Sequence, residues 1–208
     1  DVDVGDTLSY SAQLAGGGAL PSWLSFNPVI RTFEGTPLNA DVGTLSIELI
    51  ADDSNGGTAA IENFDIVVAN TNDDPTVDNA ITNQSATEGN LFSYTFAANT
   101  FGDVDVGDTL SYSAQLAGGG ALPSWMSFNP VTRTFEGTPL NADVGTLSIE
   151  VIADDSNGGT AAIESFDILV ANTNDDPTVD NAITNQSATE DNLFSFTFAA
   201  NTFGDVDV

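Results

Sequence analysis

Acidic side chains in this sequence lie in short clusters that suit a hard cation. Asp103 and Asp105 alternate in one run that Gly107 follows, and acidic pairs occur at residues 154–155 and 175–176. Calcium takes about six to eight oxygen ligands from carboxylates, amides and carbonyls. Two carboxylates about 4 Å apart repel by roughly 1 kcal/mol in water, and a cation between them reverses that sign. The clusters therefore predict Ca²⁺ sites, with turn formation by Asp and Asn as the alternative explanation.

The overall charge disfavours several kinds of partner. The 208 residues include 31 acidic and two basic residues, with no His and no Cys, for a formal charge of -29. Such a surface repels phosphates and anionic lipids, so we expect neither nucleic acid nor membrane partners. Solubility in a salty medium is the alternative explanation of the charge. No apolar run approaches the roughly 20 residues of a membrane span, so membrane insertion is not expected.

An internal repeat dominates the sequence. The run DVDVGDTLSYSAQLAGGG begins at Asp1 and again at Asp103, which gives a period of 102 residues. Copies this similar present the same chemistry, so they provide length and multivalency rather than specialised sites. Residues 1–106 and 103–208 differ at seven pairs of positions: Leu24/Met126, Ile30/Thr132, Leu49/Val151, Asn63/Ser165, Val67/Leu169, Gly89/Asp191 and Tyr94/Phe196.

The same copying argues against an enzyme. His, Cys and Lys are missing, so the usual bases and nucleophiles reduce to carboxylates and hydroxyls. Paired carboxylates can cleave glycosides, and this is the remaining catalytic alternative. Identical active sites in an array of small modules would be unusual. We therefore expect no catalytic residues.

Each repeat shows the pattern of an all-β sandwich. Short β-rich runs alternate with turn residues, and about seven strands per repeat follow. Trp125 is expected in the core, with sugar stacking as the less favoured role. The clearest strand-like runs are residues 91–98, 109–116, 145–153 and 161–172.

Two copies of the hexapeptide NTNDDP, at residues 70–75 and 172–177, predict interdomain linkers, because Pro cannot extend a central strand. The predicted domains are the C-terminal part of one repeat at 1–74, a complete repeat at 75–176 and the N-terminal part of another at 177–208. Two explanations compete for the partial repeats: a window cut from a longer array, or strand donation between molecules. Residues 205–208 duplicate residues 1–4, which favours the window.

Several motifs resemble those of cadherins. The run at residues 103–108 resembles the cadherin DxDxG motif, residues 153–155 its AxD motif, and residues 172–177 its DxNDNxP linker. The cadherin LDRE motif has no clean counterpart. The more specific resemblance is to dystroglycan-type cadherin-like repeats of large bacterial surface proteins, and it rests on residues 122–129, 135–139, 143–145 and 155–159.

The resemblance implies tandem cadherin/Ig-like β-sandwiches with calcium between consecutive domains. The first junction would use Asn72, Asp73, Asp74, Glu88, Asp103, Asp105 and Asp155. The second would use Asn174, Asp175, Asp176, Glu190, Asp205 and Asp207. The first repeat supplies the counterparts Asp1, Asp3 and Asp53.

The leading hypothesis is a structural one. Calcium-stiffened repeats would form the stalk of an extracellular adhesin or a filament on a bacterial cell surface. The expected partners are neighbouring identical repeats, with lateral or end-to-end assembly into a fibre. The alternative is a cadherin-like module that binds polysaccharide or other cadherin-like domains.

Overall fold

The structure is a computed structural model that describes residues 7–56, 58–105 and 107–207. Apart from two short 3-10 turns, the described elements are β-strands, so the all-β prediction is confirmed. None of the helices in these residues is long and apolar enough to cross a bilayer. The chain divides into two compact units. The first holds residues up to Asp73 with the segment around Asp105, and the second holds residues 74–103 and those from 108 onward.

The described residues of the first unit form five strands. Strands β1, β4 and β5 form an antiparallel sheet in the order β1-β4-β5, and β2 and β3 form a hairpin. A 3-10 turn at Asn39–Asp41 precedes β4. The strand bounds are β1 Ser9–Leu14, β2 Leu24–Asn27, β3 Thr32–Gly35, β4 Gly43–Asp52 and β5 Ala60–Val68.

The second unit repeats this pattern and adds strands before and after it. A 3-10 turn at Asn141–Asp143 corresponds to the one in the first unit. The strand bounds are β6 Thr76–Val77, β7 Gln84–Thr87, β8 Phe92–Thr95, β9 Phe101–Gly102, β10 Ser111–Leu116, β11 Met126–Asn129, β12 Thr134–Gly137, β13 Gly145–Asp154, β14 Ala162–Ala171, β15 Thr178–Val179 and β16 Phe203–Gly204.

Two sheets of the second unit make the sandwich. One has the order β10-β13-β14-β7 and the other the order β11-β12-β8. Alternate side chains of β13 are buried, among them Ile149, Val151 and Ala153, because successive side chains of a strand point to opposite faces. These seven strands are longer than the two-residue β6, β9, β15 and β16, so the expected sandwich of about seven strands is confirmed.

Aromatic rings fill the core of this sandwich. The Phe96 ring contacts those of Phe101, Tyr112 and Phe128 at centroid distances of 6.0, 5.5 and 6.2 Å. Trp125 packs edge-on against a core phenylalanine rather than lying on an open surface. Such edge-to-face pairs add to the stabilisation that burial of the rings provides.

One pairing was not foreseen from the sequence. Strand β7 lies parallel to the end of β14, with Gln84 opposite Ile168 and Thr87 opposite Ala171. Parallel strands place their C-terminal ends at the same edge of a sheet. The residue after β7 therefore lies where β14 ends and the linker at residues 172–177 begins, and this edge holds the candidate site.

Candidate metal centre

Glu88 follows β7 directly and is held at the end of β14 by two hydrogen bonds. Its backbone N–H donates to the Ala171 carbonyl at 3.1 Å. Its Oε1 accepts the backbone N–H of Thr173 at 2.9 Å. The side chain is only 6% exposed. Strand pairing thus fixes an acidic side chain in a buried position beside the linker.

Asp175 and Asp207 lie together at the same place. The Asp175 backbone N–H donates to Asp207 Oδ2 at 2.9 Å. Asn172 Nδ2 donates to Asp207 Oδ1 at 3.2 Å, and Asn141 Nδ2 donates to Asp175 Oδ2 at 3.4 Å. Asp205 Oδ1 in turn accepts the Asp207 backbone N–H at 3.0 Å. The turn after β16 is therefore fastened to the linker by carboxylate hydrogen bonds.

Glu88, Asp175 and Asp207 form one acidic cluster, which we call the linker triad. One carboxylate oxygen of each lies within 4.8 Å of the others. At that separation two unit charges repel by roughly 1 kcal/mol in water and by roughly 3.5 kcal/mol at an effective dielectric of about 20. Among the described residues, the hydrogen-bond donors to the triad are neutral amides, and the chain has only two basic residues to offset the charge.

One atom of the triad has its hydrogen-bonding capacity unmet. Glu88 Oε2 is buried and has no hydrogen-bond partner among the described residues, although Oε1 of the same carboxylate is bonded. A buried carboxylate oxygen without a donor costs desolvation energy, and such groups are normally paired or bound to metal. The triad offers only negatively charged carboxylate oxygens, which are the ligands that a hard divalent cation such as Ca²⁺ prefers.

The sequence grouped Glu88 with the linker that precedes its repeat, whereas the structure places Glu88 beside the linker that follows. Glu88 bonds to Thr173 and clusters with Asp175 and Asp207, which belong to the linker that follows. The physical reason is the parallel pairing of β7 with β14. Glu190, expected to be the glutamate of this second junction, is exposed and is not a member of the linker triad.

The linker arrangement recurs in the first unit. The Asp73 backbone N–H donates to Asp105 Oδ2 at 2.7 Å, which matches the bond from Asp175 to Asp207. Asn39 Nδ2 donates to Asp73 Oδ2 at 2.6 Å, and Asp105 is buried. The backbone geometry around this acidic turn is therefore a repeated property of the chain.

A second acidic loop of the second unit brings together other predicted residues. Asp155 is buried, and its Oδ1 accepts the Asn157 backbone N–H at 2.9 Å. Asn157 Nδ2 donates to Asp108 Oδ2 at 2.8 Å. Asp74 Oδ1 accepts the Thr160 backbone N–H at 2.9 Å. These bonds order the loop around Asp155.

The remaining predicted ligands lie outside the linker triad. Carboxylate oxygens of Asp103 and Asp108 lie within 4.8 Å of each other. Asn72 and Asn174 each bond the backbone carbonyl of the next residue, and Asp53 Oδ1 accepts the Asn55 backbone N–H. Asp176 is exposed. Asp1 and Asp3 lie outside the described residues.

The sequence did not predict two side-chain amides that donate hydrogen bonds to the linker triad. Asn172 was the first residue of the recognised linker motif, so its position carried a signal. Asn141 lies in the 3-10 turn at Asn141–Asp143, and no local pattern marks it.

The chain matches the sequence profile of a family described as "Putative Ig domain" (He_PIG) over residues 1–69 and 74–171. The chain belongs to the He_PIG family. The linker triad of this He_PIG chain combines one residue from the second matched segment with two that follow it. A comparison with curated proteins gives no match.

Solved structures place the He_PIG chain among cadherin-like folds. Human protocadherin-24 EC1-2 is similar at 16% sequence identity and a TM-score of 0.52, over 80% of this chain and 83% of that one. Mouse cadherin-23 EC22-24 is similar at 14% identity and a TM-score of 0.51, over 80% and 53%. At these identities the likeness shows the fold alone. It supports a cadherin/Ig-like repeat, whereas the dystroglycan-type assignment stays a prediction.

Enzymes also appear among the similar structures. An endo-fucoidan hydrolase of glycoside hydrolase family 107 is 19% identical with a TM-score of 0.40, over 81% of this chain. The chain spans only 24% of the length of that enzyme. A likeness this low carries no argument about activity.

Proposed function

We propose that this He_PIG chain is a non-catalytic structural repeat of an extracellular adhesin stalk or filament, and that calcium held by the linker triad stiffens it. The observation that carries the proposal is the buried Oε2 of Glu88, which has no hydrogen-bond partner in the part of the chain that the structure describes and lies beside two further carboxylates. A bound cation would supply the missing positive charge.

The origin of the three ligands explains why a cation would stiffen the chain. Glu88 is fixed by the sandwich, Asp175 belongs to the linker, and Asp207 belongs to the turn after β16. A cation shared by the three would tie the end of the sandwich to the linker and to the segment that follows. Bending at the linker would then require a ligand to leave.

The near-identical repeats support a structural role and partners of the same kind. Residues 1–106 and 103–208 differ at only seven positions, so each copy offers its neighbours the same surface. The high negative charge suits an extracellular surface protein in contact with calcium and disfavours nucleic acid. Ig and cadherin-like folds are commonly extracellular, and a bacterial surface is the location we propose.

The Glu88→Gln variant tests the calcium site, because the sign of its effect on the melting temperature should depend on whether calcium is present. Without calcium, Glu88→Gln removes a buried charge from a repelling cluster, so the variant should melt at a higher temperature than the wild type. With calcium the order should reverse, because the wild type gains binding energy that the variant lacks. A ligand at about 100 times its dissociation constant stabilises by roughly 2.7 kcal/mol.

Glu62→Gln is the matched control, because Glu62 is an exposed strand residue and loses the same charge. It should follow the wild type with calcium and with chelator. Calorimetric titration should show calcium binding by the wild type and by the control, and weakened binding by Glu88→Gln. Small-angle scattering should show a more extended wild type with calcium. Equal responses of both variants to calcium would refute the site.

A further inference from the structure

The larger sheet of the second unit ends in a strand with one unpaired side. In the order β10-β13-β14-β7, β10 pairs with β13, and among the described residues no strand pairs with its other side. This strand lies within the sandwich, with β7 and β8 before it and β11 to β14 after it. Strand β1 has the same six residues, SYSAQL, and the same place at the end of its sheet. We call the unpaired side of β10 the free edge.

The hydrogen bonds beside β10 show which backbone groups point to the free edge. The Ala117 N–H donates to the Ser148 carbonyl at 3.0 Å, just beyond the paired residues of β10 and β13. Every second residue of an antiparallel pair exchanges such bonds with its partner, so Ser113 also directs its backbone groups at β13. The backbone N–H and C=O groups of Tyr112 and Ala114 therefore point away from β13 and are available to another strand.

A glycine turn at residues 118–120 ends the free edge and leaves it accessible. The Leu116 N–H donates to the Gly120 carbonyl, and the Gly119 N–H donates to the Leu116 carbonyl, both at 3.0 Å. The backbone groups of Leu116 are therefore used within the turn. The three glycines have no side chain that would block a strand approaching Tyr112 and Ala114. Lys, Pro and bulges commonly prevent pairing at strand edges, and β10 contains none of them.

The charge distribution favours a second copy of this chain as the partner. Residues 109–132 contain no charged residue, although the formal charge of the chain is -29. Two carboxylates of β13 lie opposite β10, and both are bonded within the chain: Glu150 Oε2 accepts Gln115 Nε2 at 2.9 Å, and Asp154 Oδ1 accepts the Ser156 N–H at 2.7 Å. Two copies of so acidic a chain repel each other over most of their surfaces, and they can approach closely along an uncharged strand.

We propose that the free edge pairs antiparallel with the free edge of a second copy of this chain. Tyr112 of each copy then lies opposite Ala114 of the other, and each such pair exchanges two backbone hydrogen bonds. Ser113 lies on the two-fold axis, opposite Ser113 of the second copy. The contact uses the same surface on both molecules. Strand β1 offers the same groups at Tyr10 and Ala12, so each molecule has two such edges and association continues beyond dimers.

This inference goes beyond the proposed function, because edge pairing joins molecules side by side and needs no cation. Association in the presence of chelator would support it whether or not the linker triad binds calcium. Association that appears only when calcium is added would overturn it and would leave the calcium site standing. The two proposals therefore fail in different experiments.

Single cysteines test the register of the pairing, since the chain has no cysteine of its own. Under mild oxidation in chelator, Ser113→Cys should give a disulfide-linked dimer on a denaturing gel. Opposed residues of a non-hydrogen-bonded pair have Cα atoms about 4.5 Å apart, which is within the range of a disulfide. Ser111→Cys is the matched control, because Ser111 is exposed on the same face of β10 but faces Gln115 in this register. The two copies of position 111 would lie about 13 Å apart along the strands, too far for a disulfide.

Sedimentation velocity in chelator, at near-physiological salt, tests association over a range of protein concentrations. The wild type should form species that grow with concentration. Ser11→Asp combined with Ser113→Asp should weaken association about fivefold or more at each paired edge, because it places like charges opposite each other at about 5 Å. The Debye length at this salt is about 8 Å, so the repulsion at that distance remains.

Asn63→Asp combined with Ser165→Asp is the matched control and should associate like the wild type. Asn63 and Ser165 are exposed residues of β5 and β14, away from β1 and β10, and they gain the same two charges. Circular dichroism of both double variants should match that of the wild type, because all four substituted side chains are exposed.

Three results would overturn the inference. The first is a wild type that stays monomeric at all concentrations. The second is equal association of the wild type and the variant that combines Ser11→Asp with Ser113→Asp. The third is an equal yield of disulfide-linked dimer from Ser113→Cys and Ser111→Cys. Serine and cysteine are similar in size, so the crosslinking result does not depend on the stability of the aspartate variants.

Discussion

Two phenylalanines with the same local sequence should differ in what they contribute to stability. Phe33 and Phe135 both lie in the run RTFEGTP and both contact two rings, at 4.6 and 5.5 Å for Phe33 and at 4.6 and 5.7 Å for Phe135. Phe135 is fully buried and Phe33 is partly exposed. The difference comes from the covering segment, residues 76–102. Substitution of each by Ala therefore measures the contribution of that segment.

The expected losses follow from burial. Truncation of a fully buried Phe to Ala costs about 3 to 5 kcal/mol. The exposed part of a Phe33 ring is on the order of 50 Å², which at about 25 cal/mol per Å² amounts to about 1 kcal/mol. The cavity left at Phe33 is also open to water on one side. Phe33→Ala should therefore lower the free energy of unfolding less than Phe135→Ala does. The difference between the two losses should be at least about 1 kcal/mol.

Urea denaturation followed by tryptophan fluorescence gives both values. Each unit has one tryptophan, Trp23 or Trp125, so replacing one by Phe reports on the other unit. Equal losses at the two positions would refute the view that residues 76–102 make the difference in burial.

Three further outcomes follow from local geometry. Gly137→Ala should destabilise the second unit by roughly 3 kcal/mol in urea denaturation, because a Cβ there would collide with the backbone carbonyl of Trp125; an unchanged midpoint would contradict this. Burial raises the pKa of Tyr94, so the folded state favours the neutral phenol, and stability should be lost as pH rises above about 10; Tyr94→Phe should remove that loss in alkaline melting curves. The hydrogen bond from Gln13 lowers the pKa of Glu48 from 4.5, so its stabilising effect should be present at neutral pH and fade as pH falls through the lowered pKa; Gln13→Leu should raise the value measured by NMR titration.

The candidate site shows where prediction from sequence succeeds and where it stops. The clustering of Asp and Glu, and the linker motif that contains Asp175, were visible as residue types and spacings. The partner of Glu88 was not, because Glu88 and Thr173 are 85 positions apart and meet only through the parallel pairing of β7 with β14. Neither strand carries a local mark of that pairing. The predicted glutamate therefore lies beside a different linker from the one that the sequence assigned to it.

The sequence by itself determined the strands, the turns and the repeat, since these depend on alternation, on Gly and Pro, and on the copying of residues at a period of 102. The tertiary structure alone decided which identical residues are buried. Phe33 and Phe135 have the same neighbours along the chain, and only Phe135 is covered by the segment at residues 76–102. Burial is a property of non-local packing, so the local sequence that Phe33 and Phe135 share gives the same strand in both copies and does not give the burial of either ring.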